Sequence, residues 1–575
     1  MAQIRVYTEP IIAKTRPSGL ANSVHMALRT NGEYEPLHSG YGILFPKADI
    51  SGDNTILERG IRNPGLLDNG DCFLVLGEII DASGNPMQPA RFAVWETRDF
   101  IRYEPQRTLS RDELTCLSPE SGSPADSLPI PDELVPAIRN CWFPIHSVSV
   151  SLPADVAITT SSRVGESLAH VLSGSAVDAP TDALSGSAFD ALADALSRIP
   201  ATITYSDGST DTRNVSWDMG SLAPTGRGTY RIHGTLTPID TGFPLAPGYA
   251  DPVLFYRDNA WYFLATNDNV NDIGLFVRTA PTIPELFNGS AQESCILGYD
   301  EARGFCQTFW APEFHVIHGE LYILFAVSGT QWGPQCHLMH LRAGGNIMNP
   351  ADWETPIRIC RADGRPLAKD GITLDMTYIH VDSGSYVCWS YRHGIGTPAD
   401  TGSMLYIARI DDERPWMLTS EPVLLSRPEY GWENTNGTIN NEGPYALVLG
   451  DQIYLAHSGG DACGYLYAVG YHIADVHSDL TDPQNWTKLP TALFHSLSVP
   501  GIQGPGHNSF FRNSEGKWMI AYHAQEREKY NMRCSAIHRV HISADGFPML
   551  NVVGDRDIAP ELRRVALEFR LITPQ

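Results

Sequence analysis

ADPVLFYRDNAWYFLATND, residues 250–268, runs from a polar residue through an apolar stretch and a turn into a second, aromatic-rich stretch. Four later segments share this layout: PEFHVIHGELYILFAVSG (312–329), DMTYIHVDSGSYVCWSYR (375–392), EGPYALVLGDQIYLAHSGG (442–460) and HNSFFRNSEGKWMIAYHA (507–524). Their polar leaders are Asp251, Glu313, Asp375, Glu442 and His507, spaced by 62, 62, 67 and 65 residues. The aromatic that opens the second strand (Tyr262, Tyr322, Tyr386, Tyr454 or Trp518) follows each leader by 9 to 12 residues. Such a period is a repeat, somewhat longer than the ~40–50 residues of familiar propeller blades but suited to one four-stranded blade with generous loops. A five-bladed β-propeller would bring all five leaders to its central channel. Four acids and a histidine crowded into one pocket need a functional reason, because like charges repel.

Around the repeat, composition is that of a globular, turn-rich β protein: 575 residues, 42% hydrophobic, with 50 Gly and 41 Pro. Lys and Arg number 41 against 66 Asp and Glu, a formal charge of −25, and no basic cluster stands out. Nucleic acid and anionic membrane are therefore excluded as expected partners, whereas a neutral carbohydrate is not repelled. The ten cysteines have no CxxC pair or ligand-like spacing and read as reduced core residues. The opening MAQIRVYTEPIIAKTRPSG has no apolar h-region, and no stretch approaches the ~18 apolar residues of a span, so a cytoplasmic location is expected. Oligomeric state is not legible.

Upstream of the repeat, residues 1–145 read as strands and turns. RNPGLLDNGDCFLVLGEI repeats the blade layout with Asn63 in the leading place, so the region is expected to be a blade-like, structural β module beside the propeller. Residues 146–238 alternate at period two around an Asp207-Gly208 hairpin turn. The YSDGS hairpin (205–209), Val215-Ser216-Trp217 and GTYRIHG (228–234) resemble bacterial Ig-like modules, which implies a β-sandwich. Within it LSGSAVDAPTDA is followed at once by LSGSAFDALADA, expected as a solvent-facing helical or flexible insert. Residues 245–575 are the expected catalytic domain.

The repeated leaders suit glycoside hydrolysis, in which one carboxylic acid protonates the leaving oxygen and a second carboxylate acts across the sugar. Inverting enzymes leave ~6.5–9.5 Å between them for the attacking water. In order along the chain stand Ala250-Asp251-Pro252, Trp310-Ala311-Pro312-Glu313, Asp375, Glu442-Gly443-Pro444, Gly504-Pro505-Gly506-His507 and Arg533 in an RxxxIxxVxxxxDGxP stretch. From Ala250 to about Leu550 the chain resembles glycoside hydrolase family 43, five-bladed propeller enzymes of the inverting class that include arabinofuranosidases, xylosidases and arabinanases. Carried over by position, the resemblance implies Asp251 as general base, Glu442 as general acid and Asp375 as the carboxylate that holds the acid's pKa up. It implies that His507, with waters, holds a calcium-like ion, and gives Glu313 a mostly structural place. Arg533 is expected to reach the sugar or Glu442. Of the aromatics Trp310, Trp332, Phe309, Trp432 and Tyr378, the first two are expected to stack on a pentose. Ile542 stands where the family often has tryptophan, a difference expected to touch packing.

Plainer roles remain open for each residue: Asp251 before proline and Asp375 as turn residues, Glu442 as a loop acid, His507 as a metal-free channel histidine, Arg533 in an ordinary salt bridge. The expected activity is release of terminal α-L-arabinofuranosyl residues. β-Xylosidase chemistry by the same mechanism and a non-catalytic carbohydrate-binding propeller are the alternatives. The two upstream modules are expected to reshape the pocket mouth.

Overall fold

The computed structural model describes residues 1–52, 55–117, 124–159, 176–178, 186–222, 227–435, 437–526 and 532–572. The protein is all-β apart from short helical segments, none of them long and apolar enough to cross a membrane among the described residues. It divides into two compact units, Met1–Phe143 with Thr241–Val540, and Pro144–Asp240 with His541–Gln575. All ten cysteines are free.

In the first unit each sequence repeat forms one antiparallel sheet, here numbered I to V. Their first strands are Tyr249–Arg257, Gln307–Ile317, Ile372–Val381, Asn441–Leu449 and Gln503–Arg512. These first strands touch one another in the closed order I–II–III–IV–V–I. The short strand Ala246–Pro247, which precedes sheet I in sequence, pairs with Arg533–Arg539 as the outermost strand of sheet V and so ties the two ends of the ring together. Second strands are buried on both faces, which is why they read as continuous apolar runs. Along Glu320–Ser328, Ile323 and Phe325 point into the core shared with sheet I, while Tyr322 and Leu324 point into the core shared with sheet III, as the period of two requires.

Every first strand carries a β-bulge near its head, between Ala250 and Val253, Trp310 and Glu313, Leu374 and Thr377, Glu442 and Tyr445, and Gly506 and Ser509. The first bulged residue is left-handed each time: Asp251 (φ 53°), Ala311 (44°), Asp375 (53°), Gly443 (56°) and His507 (43°). For non-glycine residues this conformation is strained and needs compensation. Asp251, Asp375 and His507 hold the position the repeat assigns them. Glu313 and Glu442 do not: Glu313 lies two residues beyond its bulge position and Glu442 one before.

Among the described residues of 1–143, two four-stranded sheets enclose the main core, beside the short pair Asp49–Ile50 and Ile56–Leu57. One of them, headed by Arg59–Asp68, repeats the bulge at Asn63 (φ 48°). This module packs on the segments around sheet IV, burying Leu20, Tyr41 and Phe45 against Tyr430 and Trp432 before its first strand, Leu466 before its third and Ala492 after its last.

In the second unit Ala201–Tyr205 and Thr210–Arg213 pair across the Asp207-Gly208 turn. Two features correct the sequence reading. The strand Arg564–Ile572 lies between Val156–Thr159 and Gly228–Thr235 in a five-stranded sheet, so residues 541–575 complete this unit rather than the domain expected at 245–575. The second copy of the Ala/Ser-rich duplication forms the helix Gly186–Ser197, whose Leu192, Ala195 and Leu196 enter the core, because its apolar residues recur at helical spacing. It is not a solvent-facing insert. Most of the first copy lies outside the described residues.

Truncation after Leu562 removes the strand on which both neighbours of that sheet pair. The strands Val156–Thr159 and Gly228–Thr235 are then expected to be cleaved by protease under conditions in which they resist in the full chain, as read by limited proteolysis with mass spectrometry; an unchanged cleavage pattern would contradict the pairing.

Candidate active site

The bulged residues need partners for the amides that leave the strand ladder. Ala311 N donates to Thr266 Oγ1 at 2.8 Å, Gly443 N to Asp375 Oδ2 at 3.2 Å, His507 N to Ser458 Oγ at 2.7 Å and Asp251 N to His523 Nδ1 at 3.3 Å. Each bond joins one sheet to the sheet before it. The bulges therefore aim side chains at the middle of the ring and fasten adjacent sheets in the same step.

Asp251 is 5% exposed. Its Oδ2 accepts from Thr266 Oγ1 at 2.6 Å, while Oδ1 lies 3.2 Å from His507 Nδ1, 3.1 Å from His523 Nδ1 and 3.6 Å from Arg533 Nη1. His523 presents the unprotonated Nδ1, since that atom accepts the Asp251 amide and Nε2 faces the Ala462 carbonyl at 3.1 Å. Burial holds His523 below the ordinary imidazole value. No donor among the described residues meets Asp251 Oδ1 with hydrogen-bond geometry. Burial alone would push the Asp251 carboxyl up, but His507 and Arg533 outweigh it and hold the group far below the usual carboxylate range.

Glu442 is displaced the other way. Burial first, and then the Asp375 charge, raise it to about 8, against the opposing effects of His507 and of Tyr467, whose hydroxyl donates to Oε1 at 2.9 Å. Asp375 Oδ2 accepts from Ser390 Oγ at 3.0 Å and from the Gly443 amide, and its own carboxyl is raised by burial and by Asp251. His507 is raised despite burial because Asp251, Asp375, Glu442 and Glu313 surround it. One cluster thus holds an ionised carboxylate on sheet I and a protonated acid on sheet IV.

The other expected residues separate. Arg533 does not engage Glu442: Nε and Nη2 fork onto Asp268 at 2.9 and 2.5 Å, and Nη1 turns to Asp251. Glu313 is bound to His315 at 2.6 Å and feels His507 without being in the bulge. Trp310 is half-buried and donates through Nε1 to Asp272 Oδ2 at 2.9 Å, in the loop that also carries Asp268. Trp332 packs over Gly304 and Gly329, where an added Cβ would come within 2.5 Å of the indole, and no hydrogen bond or ion pair among the described residues ties it to the carboxylates. Phe309 and Trp432 are fully buried core residues, and Tyr378 bonds Asp412 and Ser385.

For the calcium-like ion the donor set does not fit. A hard cation takes ~6–8 oxygens, whereas His507 offers nitrogen and already faces Asp251 through Nδ1. No group of three His, Cys, Asp or Glu side chains among the described residues converges as a metal site.

Sequence reasoning missed Thr266, Ser390, Ser458, His523 and Tyr467. The first four carried a signal, since they stand fifteen or sixteen residues after Asp251, Asp375, Gly443 and His507. Tyr467 carried none; it reaches Glu442 from the position just before the third strand of sheet IV, Ala468–Asp475.

Tyr467 is itself positioned by Gly506, where an added Cβ would stand 2.2 Å from the phenol ring. Gly506→Ala is expected to destabilise by about 1–3 kcal/mol through overpacking and to lower activity by moving the phenol off Glu442. Denaturant midpoints and rates measured together check this; an unperturbed variant would refute the packing.

Residues 244–548 match the family model described as Glycosyl hydrolases family 43. The extracellular exo-α-(1→5)-L-arabinofuranosidase of Streptomyces chartreusis is 31% identical over 296 residues, 51% of this chain and 85% of that protein. The enzyme of the same description from Streptomyces avermitilis is 29% identical over 321 residues, 54% of this chain and 63% of that protein. Among solved structures, the α-L-arabinofuranosidase from Lactobacillus brevis aligns with a TM-score of 0.45 and 28% identity, covering 54% of this chain and 95% of that one.

Proposed function

From the premise that the chain belongs to glycosyl hydrolase family 43 and is an arabinofuranosidase-like glycoside hydrolase, we propose that it releases terminal α-L-arabinofuranosyl residues by an inverting, exo-acting mechanism. The observation that carries the reading is the asymmetric setting of two carboxyls in one cluster: Asp251 lies against His507 and Arg533, which favour its ionised form, whereas Glu442 is buried near Asp375, which favours its protonated one. Asp251 Oδ1, which has no hydrogen-bond donor among the described residues, takes a proton from water as that water's oxygen bonds to the anomeric carbon. Glu442 gives its proton to the glycosidic oxygen as the old C–O bond breaks. The sugar leaves with inverted configuration, and solvent returns the proton from Asp251 to Glu442. Asp375 keeps the acid protonated, and Arg533, anchored by Asp268, keeps the base ionised. Trp310, fixed by Asp272, offers a face to the pentose.

The ring of five sheets is read as a five-bladed propeller with this cluster at its axis, and the second unit as an Ig-like sandwich. The two Streptomyces relatives are named as extracellular, so they lend nothing to the cytoplasmic expectation.

On 4-nitrophenyl α-L-arabinofuranoside, β-D-xyloside and β-D-galactoside, the arabinofuranoside is expected to be the substrate turned over. Asp251→Ala should lose ~10²–10⁴-fold or more, and Glu442→Ala should lose less on nitrophenyl than on natural glycosides, because nitrophenolate leaves unprotonated. Equal rates in all three proteins would remove the assignment.

Because Glu442 works protonated, activity is present below its value of about 8 and is lost as pH rises through it. Asp375→Asn removes a charge that raises the acid, so the alkaline limb of kcat/KM should move to lower pH. Tyr467→Phe removes a bond that favours the ionised form, so the limb should move higher. Profiles that do not move would separate these residues from the acid.

A further inference from the structure

Immediately before Glu442 stands Asn441, fully buried, and its side chain belongs to a second polar cluster that catalysis does not use. Asn441 Nδ2 donates to Glu433 Oε1 at 2.7 Å, and its Oδ1 accepts from Lys488 Nζ at 3.0 Å and from Ser426 Oγ at 2.6 Å. Glu433, with its side chain 0% exposed, also meets Lys488 Nζ at 2.7 Å and His457 Nε2 at 3.1 Å, and its Oε2 takes the Tyr430 amide at 2.9 Å. A fully buried carboxylate paired with an ammonium whose side chain is 14% exposed is costly to desolvate, and such pairs persist where they fix one arrangement rather than add stability. What is fixed here is the entry to the strand that carries Glu442.

The other end of the cluster reaches the N-terminal module. Glu433 closes the short turn Gly431–Glu433, and Gly431 lies directly on Gly19: a Cβ on Gly19 would stand 2.7 Å from the Gly431 carbonyl oxygen, and one on Gly431 2.5 Å from that of Gly19. Bonds flank this contact on both sides. Ala48 N donates to Glu429 O at 2.8 Å, and Thr491 Oγ1 to Gly42 O at 2.7 Å, three residues beyond Lys488. The module therefore grips both chain segments that supply the Glu433–Lys488 pair.

We propose that Glu433 is a positioning residue for the general acid, and that the N-terminal module, through the Gly19–Gly431 contact, holds it in place. The inference rests on the reading of Glu442 as the acid. It assigns residues 1–143 a part in catalysis: without their pressure on the turn, Glu433 and Lys488 lose register with Asn441, and the neighbouring carboxyl loses its aim at the glycosidic oxygen. The effect should then depend on how much proton donation the leaving group needs.

The test compares α-L-arabinofuranosides bearing a 2,4-dinitrophenyl group, which leaves unprotonated, with an arabinobiose, whose alcohol must be protonated. Full-length Glu433→Gln and Lys488→Met are expected to lose roughly 10–100-fold in kcat on the disaccharide, in line with misplacement of a catalytic group by about 1 Å, and less than about 3-fold on the dinitrophenyl substrate, with KM little changed. Gly19→Ala, far from the pocket in sequence, should show the same leaving-group dependence. Ser426→Ala, which removes one bond to Asn441, covers the case in which the charged variants do not fold. Equal losses on both substrates, or none, in variants with native circular dichroism would overturn the proposal. Glu442→Gln runs beside them: if it lacks leaving-group dependence, the assignment of the acid has failed, and if it has that dependence while the others lack it, only the positioning role has.

Discussion

The structure depends on a backbone amide that cannot stay in its own sheet. Each bulge throws one N–H out of the ladder of a buried first strand, and an unpaired buried amide costs enough free energy that the fold has to supply an acceptor. Four of the five bulges find it on the preceding sheet, at Thr266, Asp375, Ser458 and His523. Irregularity in one strand thus becomes the bond that sets the distance to the next. Because the same bulge gives its residue a left-handed backbone, the side chains at 251, 375 and 507 leave the strand in a direction that regular pleating does not provide.

That geometry sets the electrostatics. Asp251 and Glu442 are both buried and both within reach of His507, yet they are displaced in opposite directions. The difference lies in their other partners. Asp251 has a guanidinium anchored by Asp268 and a threonine hydroxyl, whereas Glu442 has a phenol on one side and the charge of Asp375 on the other. Cationic partners favour the ionised form, and a carboxylate neighbour opposes it.

How far the sequence disclosed this follows from the same bulges. The five-fold recurrence and the all-β class were legible because apolar runs and turns leave a period in composition. The phase was less so. Choosing the most polar residue near each strand head returned the in-phase position at Asp251, Asp375 and His507, but passed over Ala311 and Gly443 in favour of Glu313 and Glu442. Gly443 is small for a reason that lies in another sheet, since an added Cβ would stand 3.0 Å from the His507 ring. Arg533 was read toward the sugar or Glu442, and its anchor was not found, because Asp268 lies 265 residues away and nothing local couples them. The C-terminal strand was misplaced for a similar reason: its partners 156–159 and 228–235 lie on the far side of the catalytic region in sequence.

A neutral sugar brings no charge to the pocket, so the cluster has to balance its own. In the inverting step proposed above, Asp251 is anionic and Glu442 neutral before reaction; after it Glu442 is anionic and Asp251 neutral, because one proton has gone to the leaving oxygen and another has come from water. The carboxylate charge around His507 is the same at both ends of the step. The His507 ring therefore has no net change to absorb, and in this step charge moves from sheet I to sheet IV across a site whose hydrogen bonds are already made. Preorganisation of this kind avoids reorganising the surroundings during the reaction, which is where the larger part of electrostatic catalysis resides. It also explains why acid and base are set on sheets fastened to their neighbours by bulge amides: a transfer balanced in charge is of use only if the two groups keep their separation while it occurs.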